Sequence, residues 1–451
     1  MRNYLDRLRQ MFDILFIVSL AAAMFLGGKV APLLAIAGVC PIPFLLHATS
    51  NQRYAISIWR LLVPFGLYFT YSLLAFFFFT GLEEGARRPV NPSLELYLIG
   101  IGMLAIGLVR GLQVRKLALL FRRLGPWLLV ACFLLLTYLM FAEIREGCRV
   151  RGLAPWPFIP ALLFSTLALL SLVGWARFSS NERWMRLIIL AFSVVVSTTY
   201  TGSRGVSLAV FGVFGLLFVL SLLPSLKNRV PHWYHIALAA VSGVAISIVV
   251  GFGTNCGPAS RFASTFALLE TMTSRTSELK VQTSKDLVPN TTQQEQSTNT
   301  PQVAANTSTD QEPLATADQS IGHRLAMWKT SMTAIHERLV FGHGSLYLQK
   351  LITETYGYEH NHNQYLSWLV TGGLLQLALG LIFLAIPWFV SSGLSLADRL
   401  LMTMAVSLLW GFAMISDSFL NLKFYTHYYC LLCGVLYAWV NNMLLEDGGS
   451  A

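Results

Sequence analysis

Arg186-Leu-Ile-Ile-Leu-Ala-Phe-Ser-Val-Val-Val-Ser-Thr-Thr-Tyr-Thr-Gly-Ser-Arg-Gly-Val-Ser-Leu-Ala-Val-Phe-Gly-Val-Phe-Gly-Leu-Leu-Phe-Val-Leu-Ser-Leu-Leu223 carries one charge between its ends, Arg204. It divides into two apolar runs, 186–201 and 205–223, joined by Thr201-Gly-Ser-Arg-Gly205. A bilayer core of about 30 Å is crossed by roughly 20 mostly apolar residues in a helix. Each run has about that length, and the joint has room only for a tight turn. The stretch reads as a membrane hairpin with an arginine at its bend.

The same pattern extends in both directions. Further apolar runs fall near 12–28, 30–48, 58–80, 95–113, 126–143, 155–176, 235–254, 372–390, 399–419 and 424–445. The expected fold class is all-α, a polytopic membrane bundle of about twelve helices. Composition agrees, with 55% hydrophobic and only 12% charged residues, against about 25% charged in soluble domains. The first run is followed at once by a second, from Val30, so it reads as a retained helix rather than a cleaved signal. Twelve spans put both termini on one side. With the N-terminus inside, Lys and Arg favour the inner segments over the short outer loops by about two to one, the bias of the positive-inside rule. The net charge of +10 therefore reads as topology. No basic stripe interleaves with exposed aromatics, which argues against nucleic acid as a partner.

Three regions follow: an N-terminal bundle, 1–254; a large outer loop region, 255–361; and a C-terminal bundle, 362–451. Within the loop region, 283–320 is rich in Thr, Gln, Asn, Ser and Pro, and disorder is expected there. Apolar periodicity returns between Gly322 and Tyr358, which predicts a folded segment docked on the bundle. Cys40, Cys132, Cys430 and Cys433 fall in apolar runs and read as packing residues. Cys148 and Cys256 fall in outer loops, where a disulfide is an option.

Chemistry-bearing residues concentrate around the outer loop. Where it re-enters an apolar run stands Glu359-His-Asn-His-Asn-Gln-Tyr365. His360 and His362 alternate, so they cannot share a helix face, whereas His362 and Tyr365 can. A histidine here could serve as a general base toward a hydroxyl, or be an interfacial residue satisfied by water. A metal could be chelated by HxH, but no carboxylate and histidine set completes a site by spacing, so no metal is expected. Arg204, preceded by Ser203, is costly facing lipid and at home facing an anion; the alternative is snorkelling at a helix end. Arg324 opens the folded part of the loop. Phe341-Gly-His343-Gly-Ser345 suggests a tight turn able to approach a ligand. Asp417, at the outer end of its run, could orient His362 or pair with Lys423.

These pieces stand in a recognisable order: Ser203-Arg204-Gly205 at the outer end of a span, a large outer loop, Arg324 with Trp328, the Gly342-His-Gly344 turn, and His362-Asn363 entering the next helix. The sequence resembles the O-antigen ligase and polymerase superfamily of bacterial inner membranes, most strongly from about Arg204 to Leu379. The ligase motif is His, then Asn, Ser or Gln, nine residues, Gly, two residues, then Gly, Thr or Tyr. His362, Asn363 and Gly373 fit, and Gln376 departs from it.

The resemblance implies a C-type membrane glycosyltransferase fold, with a periplasmic site acting on glycans carried by undecaprenyl pyrophosphate. It implies His362 as catalytic base, with Arg204 and Arg324 binding pyrophosphate and Arg275 a rival to Arg324. Asn363, His360, His343, Ser203 and Asp417 are supporting candidates. The implied partners are the lipid-linked donor, lipid A–core as acceptor and the bilayer, with no cofactor. A ligase leads, and a polymerase that joins lipid-linked repeat units is the nearest rival. A transporter should show paired broken helices or a repeat of its halves, and neither is evident.

Overall fold

The computed structural model describes residues 56–79, 100–108, 117–142, 150, 158–226, 228–254, 313–358, 360–421 and 423–448. Helix makes up 83% of it, and no strand occurs among the described residues. The order is α1 (Trp59–Phe79), α2 (Leu117–Phe141), α3 (Phe158–Leu170), α4 (Ser180–Val195), α5 (Arg204–Ser221), α6 (Trp233–Thr254), α7 (Pro313–Glu337), α8 (Ser345–Tyr356), α9 (Gln364–Leu384), α10 (Ile386–Val390), α11 (Leu396–Thr403), α12 (Leu409–Ala413) and α13 (Lys423–Gly448).

Among the described residues, 6 helical segments are long and apolar enough to cross a membrane: Arg122–Phe141, Arg204–Ser221, Trp233–Phe252, Gln364–Leu384, Leu396–Ala413 and Tyr425–Leu445. The protein is a membrane protein of several apolar helices. The expected runs 12–28 and 30–48, and parts of 95–113, lie outside the described residues. So do Cys40, Cys148 and Cys256; Cys132, Cys430 and Cys433 are buried free thiols.

Two boundaries differ from the sequence reading. The run expected from 372 is helical from Gln364, because Asn363 caps it: its side chain accepts from the amides of Tyr365 and Leu366. The pair Gly372-Gly373, which looks like a helix start, is a kink inside α9, with Gly373 at φ +66°. Residues 313–320, expected to be disordered from composition, form the start of α7. Pro313 supplies a preset φ at the first helical position, and Leu and Ala follow it.

The described chain falls into two units, Met1–Gly257 with Met327–Ala451, and Pro258–Ala326. The smaller one contains the first half of α7. In the larger one α6 lies along α4, α9 along α1, and α12 against α5. Close approach depends on small residues, as in membrane bundles generally: a Cβ on Gly243 would come 2.7 Å from the Ala191 carbonyl oxygen. At one end, buried Arg186 donates to the carbonyls of Ser171, Glu182 and Arg122 and lies over the Phe178 ring. Its charge is spent on the ends of three chain segments, not on a ligand.

Candidate active site

Gly357, in the left-handed region at φ 73°, ends α8, and Asn363 begins α9. The segment between them is not helical, and this overturns one expectation. The chain bends at His360 and again at His362. Asn361 and Asn363 turn inward and are buried, while His360 and His362 turn together toward Asp417. Their rings lie 4.4 Å apart. Tyr365 shares no face with His362; its hydroxyl donates to the Gly411 carbonyl at 2.7 Å. His362 has φ 53°, one of two non-glycine residues with positive φ among those described. Histidine is among the side chains enriched there, at some cost in backbone strain.

Asp417 is the shared partner. Its Oδ1 lies 3.3 Å from His362 Nδ1 and 3.2 Å from His360 Nε2, and accepts the Ser418 amide at 2.8 Å. Burial pushes its carboxyl up, but the hydrogen bonds and charges of the two histidines outweigh this and hold it well below the usual carboxylate range. A proton on His362 Nδ1 is then held by the carboxylate, which leaves Nε2, on the opposite side of the ring, as the basic atom.

The sign of the linkage follows. The folded value lies below the unfolded one, so this carboxylate stabilises the fold above the ordinary carboxylate range, and that contribution is lost as pH falls through the lowered value. Asp417→Asn should therefore melt below wild type at neutral pH in detergent, with a gap that narrows as pH drops below about 4. A gap independent of pH would mean that the charge stabilises nothing.

Asn361 is the buried residue that sequence reading passed over. Its amide donates to Ser331 Oγ at 3.0 Å, and its Oδ1 accepts from Asn363 N, Ser367 Oγ and Ser418 Oγ. Its carbonyl accepts the Trp328 indole N–H at 2.9 Å. This one side chain ties α7, α9 and the Asp417 segment together, and so sets where the flanking histidines point. The signal was the alternation His-Asn-His-Asn, meaningful only once the segment is known not to be helical.

The second expected group meets the first through Gly205. A Cβ there would lie 1.6 Å from Ser416 Oγ, so the start of α5 is pressed against the residue next to Asp417. Arg204 is the first residue of α5 and half-buried; Ser203 is the N-cap, without a side-chain capping bond. The first turn holds no acidic residue. A helix N-terminus carries partial positive charge, so a cation placed there adds to a field that favours an anion.

His343 Nε2 is 2.8 Å from the Ala334 carbonyl, and its ring stacks on Tyr347 at 4.2 Å, so it serves the turn between α7 and α8. Arg324 is half-buried on α7 in the smaller unit. Arg275 is outside the described residues, as is the Lys423 side chain. The expectation that no carboxylate completes a metal set with HxH is corrected by Asp417: one donor atom each from His360, His362 and Asp417 lie within 4.8 Å of one another and could ligate an ion. Sequence separation hid it.

No curated protein matches the chain. Residues 187–383, from α4 to the end of α9, match the family described as O-antigen ligase. That stretch contains Ser203-Arg204-Gly205 and His362-Asn363. Over this stretch the chain is similar to the O-antigen ligase family.

Proposed function

We propose that the protein is an O-antigen ligase of the bacterial inner membrane, with both termini cytoplasmic and its site facing the periplasm. It transfers O-polysaccharide from undecaprenyl pyrophosphate to a sugar hydroxyl of lipid A–core. The observation that carries this reading is the meeting of two groups at Ser416-Asp417: a carboxylate-held histidine, and an arginine at a helix N-terminus.

In this reading His362 Nε2 takes the proton of the acceptor hydroxyl as its oxygen attacks the anomeric carbon of the donor glycan. The glycosidic bond to phosphate breaks, and undecaprenyl pyrophosphate leaves with the electron pair. Direct displacement inverts the anomeric centre. Asp417 holds the imidazole and balances its charge once protonated, the role of the carboxylate in a catalytic triad. Arg204 and the α5 amides stabilise the leaving pyrophosphate. Such preorganised charge is often the largest catalytic term. The reaction as written consumes no cofactor, and His360 shares the carboxylate.

Arg204→Lys tests the anion site. A lysine keeps the charge and loses the planar fork, and a charged hydrogen bond contributes about 1.5–3 kcal/mol. Transfer should fall by roughly 10- to 100-fold, measured as O-polysaccharide-bearing lipopolysaccharide per unit of protein. Unchanged transfer would remove pyrophosphate from this position. The glycolipids of a deletion strain decide the acceptor. Free lipid A–core with accumulated full-length lipid-linked polymer supports the ligase; core bearing single repeats would mean a polymerase.

A further inference from the structure

The apolar turn Leu339-Val340-Phe341 connects α7 to α8. These side chains are 46%, 52% and 54% exposed, a contiguous apolar tip outside the protein core. Its position along α9 can be measured. The Leu374 amide donates to Leu339 O at 2.8 Å and the Leu375 amide to Val340 O at 3.4 Å. On the other side of the turn, the amides of His343 and Gly344 donate to Val370 O and Thr371 O at 2.7 and 2.8 Å. The turn thus clasps the kink of α9, roughly 9–16 Å below its first residue at 1.5 Å per residue. A second ruler agrees. Tyr71 of α1 donates to Gly372 O at 2.8 Å, and Tyr71 lies about 12 Å from the end of α1 at Phe79.

The helices on either side run down to this depth and back. Trp328, near the middle of α7, is bonded at the level of Asn361, just above the start of α9. From Trp328 to Glu337, the end of α7, the helix advances roughly 14 Å, close to the descent of roughly 15 Å from Gln364 to Leu374. On the way back, Tyr356 at the end of α8 bonds Thr330 through its hydroxyl at 2.6 Å, and Tyr358 stands edge-on to the His362 ring. The inner face of this hairpin (Met327, Ala334, Ile335, Leu348 and Ile352) closes on Val370 of α9.

We propose that the second half of α7 and α8 form a re-entrant hairpin, with the Leu339–Phe341 tip in the acyl chains of the bilayer leaflet on the site's side. Three observations favour lipid as the occupant. The tip is continuous with the exposed apolar face of α9, Leu374, Leu375, Leu381 and Ile382, on a helix long enough to span. A depth of roughly 9–16 Å falls within one leaflet of a core about 30 Å thick. The backbone also meets the condition for non-helical chain in hydrocarbon, that its polar groups be bonded internally: carbonyls and amides of the turn pair with those released by the Gly372-Gly373 kink. Glu337 and Arg338 precede the tip; Glu337 lies 3.8 Å from His343 Nε2, and Arg338 is long enough to snorkel toward headgroups. The proposal is independent of the catalytic reading.

The test uses the full chain in vesicles of phosphatidylethanolamine and phosphatidylglycerol. Val340→Cys and, separately, Leu339→Cys are labelled with an environment-sensitive fluorophore. Glu354→Cys on α8 is the exposed control, and wild type gives the background from native thiols. The tip probes should be quenched by phospholipids brominated along the acyl chain, at least severalfold more than the Glu354→Cys probe, and resist aqueous iodide. Quenching by iodide equal to the control would overturn the proposal. Resistance to both quenchers would also overturn it, since another part of the chain would then cover the tip. Two tip positions guard against one substitution misfolding.

Discussion

His362→Ala is expected to abolish O-polysaccharide transfer to lipid A–core while the protein accumulates normally in the membrane. The substitution removes the one ring whose Nδ1 is held by Asp417 with Nε2 left to accept a proton. General-base catalysis contributes about 10²–10⁴-fold, enough to erase a lipopolysaccharide ladder. The fold should tolerate the change, because the ring is partly exposed and the buried network runs through Asn361 instead. The backbone at φ 53° disfavours alanine, so His362→Asn is the matched variant: asparagine accepts the left-handed region but cannot act as base. Both should lose the ladder with wild-type expression. A full ladder from either would remove His362 from the chemistry. His360→Ala should be milder, since Asp417 keeps its bond to His362.

Gly373→Ala is expected to destroy the folded protein rather than its activity alone. Gly373 has φ +66° and ψ −160°, a region essentially restricted to glycine. An added Cβ would lie 2.2 Å from both the carbonyl carbon and oxygen of Val340. Backbone cannot yield as a side chain can. The clasp between the Leu339–Gly344 turn and α9 would have to open, exposing several hydrogen-bonding groups at once. Backbone strain of about 1–3 kcal/mol and overpacking of about 1–3 kcal/mol together consume much of a typical stability. The expected readout is loss of monodisperse protein after detergent extraction. Gly66→Ala is the control, since nothing lies within 4 Å of its Cβ; alanine in a helix is favoured by about 1 kcal/mol over glycine. Equal behaviour of the two variants would mean that the kink is not a structural joint.

Gly373 also shows how far a family motif reaches. It fits the ligase pattern as the glycine after His362-Asn363, and its conformation explains why a glycine stands there: the α9 kink needs it. Gln376, which departs from that pattern, accepts the Thr371 hydroxyl at 2.8 Å across the same kink. The departure thus falls on a residue that braces the helix, and not on the proton-transfer pair.

The sequence by itself determined the membrane class, the helical fold, the short turn at Arg204 and the candidate histidine. These depend on composition and on apolar runs, local properties that a helix in lipid expresses almost directly. It also named Asp417, Arg204 and His362, with the orienting of His362 by Asp417 as one of two options for that carboxylate. Only the tertiary structure decided that Asp417 bonds His362, 55 residues away, and that Gly205 at the start of α5 presses on Ser416 across more than 200 residues. The same holds for Asn361. Its neighbours in sequence imply a helix entrance, and its burial follows from a bent, non-helical segment bonded to α7, α9 and the Asp417 turn. Periodicity reports which face of an element is apolar. It carries no record of which polar groups from distant elements satisfy one another in a core without water, and the site is built from those pairings.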